Sequence, residues 1–163
     1  MNIENLKLTA LINGLSLLKI PLLAFCSPRV LAATDRQSIV RIALDWRTKN
    51  HVGVMYFGAL AMGAELSVAL KAITEIQKSG KNIEFIFKDF KCDFLKRADE
   101  DVHFICDQAD QVADLIHRAS ETTERLEGTY HGHAIVPKHG PEPVMAYQIT
   151  LSVKQRVPKN KKA

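Results

Sequence analysis

Between Val52 and Leu70 nearly every side chain is apolar or tiny, and Glu65 is the one acidic or basic group among them. An ionised carboxylate taken out of water without partners costs several kcal/mol, a large share of what a small domain has to spare. Glu65 therefore has to be protonated, paired, or held in a cleft where a raised proton affinity serves a general base or a nucleophile. Polar and aromatic residues lie just ahead of it, Asn50, His51, Tyr56 and Phe57, followed by Gly58. A second group is His131, His133 and His139. The first two share one strand face and have the chemistry of metal ligands, but Tyr130, Gly132 and Ala134 take the opposite, core-type face, which turns the histidines toward solvent. No metal is expected. Cys26, Cys92 and Cys106 are odd in number with no CxxC spacing, so reduced, half-buried thiols of a cytoplasmic protein are expected rather than disulfides or a zinc site. The chain has no GxSxG, P-loop or Rossmann glycine pattern, which removes the serine-hydrolase and nucleotide-hydrolase readings. No cofactor is expected.

The elements that must position Glu65 follow from periodicity. The stretch Asn50 to Ala72 reads as a long helix that is apolar all round, and such a helix is either buried or in lipid. Glu65 near its middle, glycines at 53, 58 and 63, Lys71 directly after it and the lack of an aromatic belt at both ends favour burial in a soluble core over a membrane span. Ser38 to Trp46 alternates with Val40, Ile42, Leu44 and Trp46 on a buried side. Ser79-Gly80-Lys81-Asn82 is a helix stop and turn. Ile83 to Leu95 alternates too, with a change of parity near Asp89 that predicts a bulge or bend. Asp101 to Asp107 is a short strand. Asp107 then reads as the N-cap of a helix with the stripe Val112, Leu115, Ile116 and Ala119, ending before Gly128. Gly128 to Val136 and Val144 to Val153 are the last strands, the second having the cleanest period-two pattern in the chain. One long buried helix and about five strands, most of them consecutive after it, predict an antiparallel α+β domain.

The first residues imitate a secretory signal from Leu8 to Cys26, but a neutral start, Lys19 within the apolar run and Pro28-Arg29 before the would-be cut argue against one. The expected element is an amphipathic helix with Leu8, Leu11, Ile12, Leu15 and Leu18 on one face, broken at Pro21 and laid over the core edges. The apolar and charged fractions, 47% and 25%, are those of an ordinary globular chain and exclude disordered and fibrous classes. Three of the charges behind the net +4 are Lys159, Lys161 and Lys162, leaving 19 basic against 18 acidic side chains elsewhere. That is no nucleic-acid footprint. The expected organisation is a single domain over residues 1–157 with a solvated basic tail at 158–163.

On these residues the chain resembles the hotdog-fold thioesterases, especially the phenylacetate-degradation type and its less characterised relatives. The family pattern is an Asn, six residues later a His-Gly-Gly triplet opening the helix, and nine residues after that His an acidic residue. Asn50, Tyr56-Phe57-Gly58 and Glu65 stand at those places, with Tyr56 for the His, Phe57 for the first Gly, and Val54 where a hydroxyl residue is frequent. The order of elements also matches, so the resemblance covers nearly the whole chain. It implies a curved antiparallel sheet wrapped round the long helix, an N-terminal helix, a homodimer or homotetramer with sites shared between protomers, and hydrolysis of an acyl-CoA or similar acyl thioester. In that chemistry Glu65 is base or nucleophile, the Gly58 N–H is an oxyanion donor at the helix's positive end, and Asn50 orients water or thioester. Tyr56, Phe57 and His51 would line the substrate site. Each position has a structural alternative: Glu65 as a satisfied carboxylate, Asn50 as a turn cap, Gly58 as a packing glycine, Tyr56 as a packing ring. At the level of function the alternatives are a non-catalytic acyl-thioester binder and a dehydratase using His51.

Overall fold

The computed structural model describes residues 2–156, so the tail expected at 158–163 lies outside the described residues. Helices α1 (Ile3–Lys19) and α2 (Pro21–Phe25) precede strands β1 (Arg29–Ala33) and β2 (Ser38–Ile42). The long helix α3 (Phe57–Ser79) follows, then β3 (Ile83–Phe94), β4 (Val102–Cys106), α4 (Ala109–Ala119), β5 (Arg125–Ile135) and β6 (Pro143–Gln155). All six strands form one antiparallel sheet in the order β1-β2-β4-β5-β6-β3.

The sheet curves around α3. Its register on β6 slips between Phe87 and Asp89, where the change of parity in the sequence predicts a bulge. The main core joins Ala59, Leu60, Ala64, Val68 and Ala72 of α3 to Phe104, Tyr147, Ile149 and Leu151 of the sheet. A second cluster joins Leu66 and Leu70 to Ile12, Leu23, Val30 and Val40, so that α1, α2 and the β1–β2 edge cover another side of the same helix. A buried polar contact fixes its position: Tyr147 Oη lies 2.8 Å from Ser67 Oγ and 3.2 Å from the Ile105 carbonyl. By length and hydropathy α3 could cross a membrane, and here it is the core helix of the fold.

Several boundaries differ from the sequence expectation. The helix expected over Asn50–Ala72 begins at Phe57, because Gly53 sits at φ +84° and Asn50 ties the preceding residues into a turn. Its end agrees with the stop read at Ser79-Gly80: the last helical residue is Ser79 and Gly80 at φ +62° caps it. The sheet has six strands rather than about five. The extra one, β1, lies where the sequence imitated a cleavage site. The strand at Ser38 stops at Ile42 instead of Trp46, because Thr48 Oγ1 donates to the Ala43 carbonyl and accepts from the Asp45 N–H, turning the chain. Trp46 is then 73% exposed, edge-on to Phe25, rather than in the core. In α1 the buried side is Ile12 and Ser16 with Leu8 packed alongside, while Leu18 points out. Gln108, not Asp107, occupies the N-cap position of α4, and Asp107 accepts from Gln37 Nε2 at 2.5 Å. β5 begins at Arg125 and so contains Gly128.

Close approach of α3 to the sheet depends on Gly63. A methyl built there would lie 2.2 Å from Cε2 of Phe104, a ring that is wholly buried and has no room to give. Gly63→Ala is expected to destabilise the fold by about 1–3 kcal/mol through overpacking, read as a lower urea midpoint. An unchanged midpoint would mean that the helix does not seat against Phe104.

Candidate active site

α3 is covered on two sides by the two clusters, and one stripe is left half-open. Gly58, Ala61, Met62 and Glu65 lie on it, all of intermediate exposure. Glu65 stands at its C-terminal end, and its neighbours one turn away on the helix, Ala61, Met62, Val68 and Ala69, are all apolar. Among the described residues no donor or cation meets its carboxylate, and burial alone pushes its proton affinity above the ordinary glutamate range. Glu75, ten residues along the same helix, makes the contrast. It is 8% exposed, yet it holds Lys78 at 2.8 Å and Lys71 at 3.1 Å, with His117 at 3.6 Å. Burial opposes its charge, but the hydrogen bonds from Lys78 and Lys71 outweigh that and hold its carboxyl below the usual range. Glu75 is a satisfied structural carboxylate and Glu65 is not.

The α3 N-terminus offers donors. Tyr56 is the N-cap residue and provides no side-chain cap. Leu60 N–H is the first to reach the Tyr56 carbonyl, so the N–H groups of Phe57, Gly58 and Ala59 have no acceptor among the described residues. The ring of Tyr56 lies over Gly58, where a Cβ would come 2.5 Å from Tyr56 Cε1, and against Phe57 with ring centres 4.8 Å apart. Asn50 forms the turn ahead of the helix, its Oδ1 accepting from Val52 N–H at 3.0 Å and Val54 N–H at 3.2 Å.

Four of the sequence candidates, Asn50, His51, Tyr56 and Phe57, line one cleft of about 370 Å³ beside the α3 N-terminus. Glu65 and Gly58 lie outside its lining. They share a helix face but are separated by roughly 10 Å of rise, so one chain does not bring them together. Sequence reasoning missed the far wall of this cleft, Phe94, Lys96, Arg97 and Ala98 from the end of β3 and the segment after it, as well as Met55 and Leu60. The signal was a Lys-Arg pair directly after an apolar strand. The histidines do not converge: His131 and His139 are exposed, His133 is half-exposed, and His139 Nε2 lies 2.6 Å from Asp99 Oδ1.

No family model matches the chain, and no curated protein matches it. Solved structures do. A thioesterase from Haemophilus influenzae superposes with a TM-score of 0.67 at 14% identity, covering 98% of this chain and 95% of that one. A thioesterase family protein from Silicibacter pomeroyi gives 0.65 at 14% identity, covering 91% and 99%. A Chlorobaculum tepidum protein of unknown function gives 0.76 at 9% identity, covering 93% and 97%. The fold is the hotdog fold. The six-stranded curved sheet, the long central helix and the N-terminal helix all have their counterparts in that architecture.

A carboxyl whose folded-state proton affinity is raised keeps its proton at pH values where the unfolded chain has lost it, so stability falls as pH rises through that window. Glu65→Gln removes that loss. The variant is expected to be at least as stable as the parent at pH 7, with the difference closing as pH falls below the ordinary glutamate range. Urea unfolding of both proteins at pH 4 and pH 7 checks this, and a glutamine variant that is the less stable of the two at pH 7 contradicts it.

Proposed function

We propose that this protein hydrolyses an acyl thioester of the acyl-CoA type. The reading rests on one observation above all, a carboxylate with raised proton affinity that meets no partner among the described residues, on the half-open stripe of the central helix. The occurrence of thioesterases among its structural neighbours supports it. Glu65 takes a proton from water as the hydroxyl adds to the thioester carbonyl. The oxyanion is met by backbone N–H groups at the start of α3, that of Gly58 foremost, aided by the helix dipole. The C–S bond then breaks, and the thiolate leaves with the proton as thiol, giving a carboxylic acid and a free thiol. Direct attack by Glu65 on the carbonyl, through an acyl anhydride that water then hydrolyses, uses the same groups. Asn50 holds the turn before the helix and has its Nδ2 donor left for the cleft. His51, Tyr56 and Phe57 form the mouth, where Arg97 adds positive charge suited to the phosphates of a coenzyme, while Lys96 beside it is paired with Glu142.

Because Gly58 and Glu65 do not converge within one chain, we place the reaction at an interface between two copies, each supplying one of them. Three features favour such an assembly, a homodimer or a pair of them. β3 is a 12-residue edge strand, Phe57 is 60% exposed and Phe94 is 52% exposed. The same reading takes residues 1–157 as the unit that acts and the cytoplasm, where these thiols stay reduced, as its place.

A panel of acyl-CoA substrates with thiol detection tests the proposal. The parent is expected to release thiol, and Glu65→Gln to lower kcat at least about 100-fold, the range for loss of a general base. Equally slow release by parent and variant on every substrate defeats it in favour of a non-catalytic binder. Hydration of an enoyl thioester that depends on His51 defeats it in favour of a dehydratase.

A further inference from the structure

Helix α1 turns its polar side inward. Asn5 Nδ2 donates to the Leu31 carbonyl at 2.6 Å, Thr9 Oγ1 accepts from the Val30 N–H at 2.9 Å, and Asn13 Nδ2 donates to the Pro28 carbonyl at 2.9 Å. These bonds satisfy the outer side of β1, which is an edge strand of the sheet. With Asn5, Thr9 and Asn13 committed to β1, and Ile12 and Ser16 buried, the side left to solvent is Ile3, Leu6, Ala10, Gly14 and Leu17. These form one row at helical spacing, all exposed, with Lys7 beside it.

The apolar surface continues past the helix. Leu18, Ile20, Leu22 and Phe25 are exposed around the corner between α1 and α2, and Phe25 meets the exposed ring of Trp46 with ring centres 5.7 Å apart. Leu17 and Leu18 are 68% and 83% exposed. So extended an apolar surface on one side of a small domain marks a binding face. Its charge selects the occupant. From Asn5 to Thr34 the chain carries Lys7, Lys19 and Arg29 and not one Asp or Glu. None of the three cations forms an ion pair among the described residues. Glu4 stands just outside this segment in the first turn of α1, and Asp45 beside Trp46 is neutralised by Arg47 at 2.6 Å. Aliphatic side chains with basic residues at their margin and an aromatic pair at one end suit an anionic lipid surface. There the leucines enter the acyl boundary while the basic side chains stay among the headgroups. A protein partner fits less well, because protein interfaces interleave hydrogen bonds and anchor on Tyr, Trp and Arg, whereas the α1 row is Leu, Ile, Ala and Gly.

We propose that α1 and α2 dock this protein on the surface of an anionic lipid bilayer, with α1 lying along the interface rather than crossing it. The docking face is independent of the hydrolase reading.

Vesicles of three parts phosphatidylcholine to one part phosphatidylglycerol, compared with phosphatidylcholine alone, test this on the full chain. Trp46 is the only tryptophan, so its emission reports on the docking face itself. The protein is expected to sediment with the anionic vesicles, with Trp46 emission shifted to the blue, and to partition at least about fivefold less onto the neutral ones, the effect of about one surface lysine. Leu17→Gln combined with Leu18→Gln, at two exposed positions whose exchange leaves the core intact, should weaken partition at least about tenfold, as loss of leucine burial predicts. Absence of sedimentation with both vesicles and an unmoved emission overturn the proposal. Binding that the leucine pair leaves unchanged also overturns it, since the lipid contact is then elsewhere. Analytical ultracentrifugation without lipid reads the rival occupant: an assembly that the leucine pair reduces in size, together with no vesicle binding, makes this face an interface between copies of the chain and overturns the proposal.

Discussion

A carboxylate on an apolar helix persists only where a cation meets it or water still reaches it, and α3 uses both solutions ten residues apart. Glu75 lies where α3 passes α4 and is tied down by two lysines. Glu65 lies on the half-open stripe, and its neighbours one turn away on the helix are alanine, methionine and valine. The same residue type on one helix thus takes opposite proton affinities, and the difference comes from neighbours rather than from depth alone.

How the sheet wraps the helix follows from small residues. Gly63 lets α3 settle against Phe104, and the bulge at Lys88 lets β3 follow β6 around the curve. The strands supply most of the enclosure, and α1 and α2 supply the remainder from the β1 edge. What is left half-open is a stripe that starts near the helix N-terminus and ends at Glu65, whose carboxylate meets no partner among the described residues.

Much of this was legible in the sequence because two periods dominate it. The run of apolar and small residues before Lys71 marked the central helix, the parity change near Asp89 marked the bulge, and Ser79-Gly80 marked the stop. What failed did so where side chains, rather than periodicity, set the backbone. The Thr48 hydroxyl and Asp45 end β2 early and throw Trp46 outward, and Asn50 with Gly53 delays the helix to Phe57. β1 was hidden because a five-residue edge strand has too few alternations to stand out from the apolar segment around it. For the site, Asn50, His51, Tyr56 and Phe57 do meet in one cleft, whereas Gly58 and Glu65 share a face without meeting. Sequence spacing gives a shared helix face, but seven residues along it keep the two roughly 10 Å apart.

The account stands on Glu65 being an unpaired carboxyl with raised proton affinity at the place where the thioester binds. Carbon-13 NMR of the glutamate carboxyl groups, with Glu65→Gln to assign the resonance, measures this directly. The Glu65 midpoint is expected above that of an ordinary glutamate, and displaced again when a non-hydrolysable acyl-CoA thioether is added. A midpoint at or below the ordinary value, indifferent to the thioether, would contradict it.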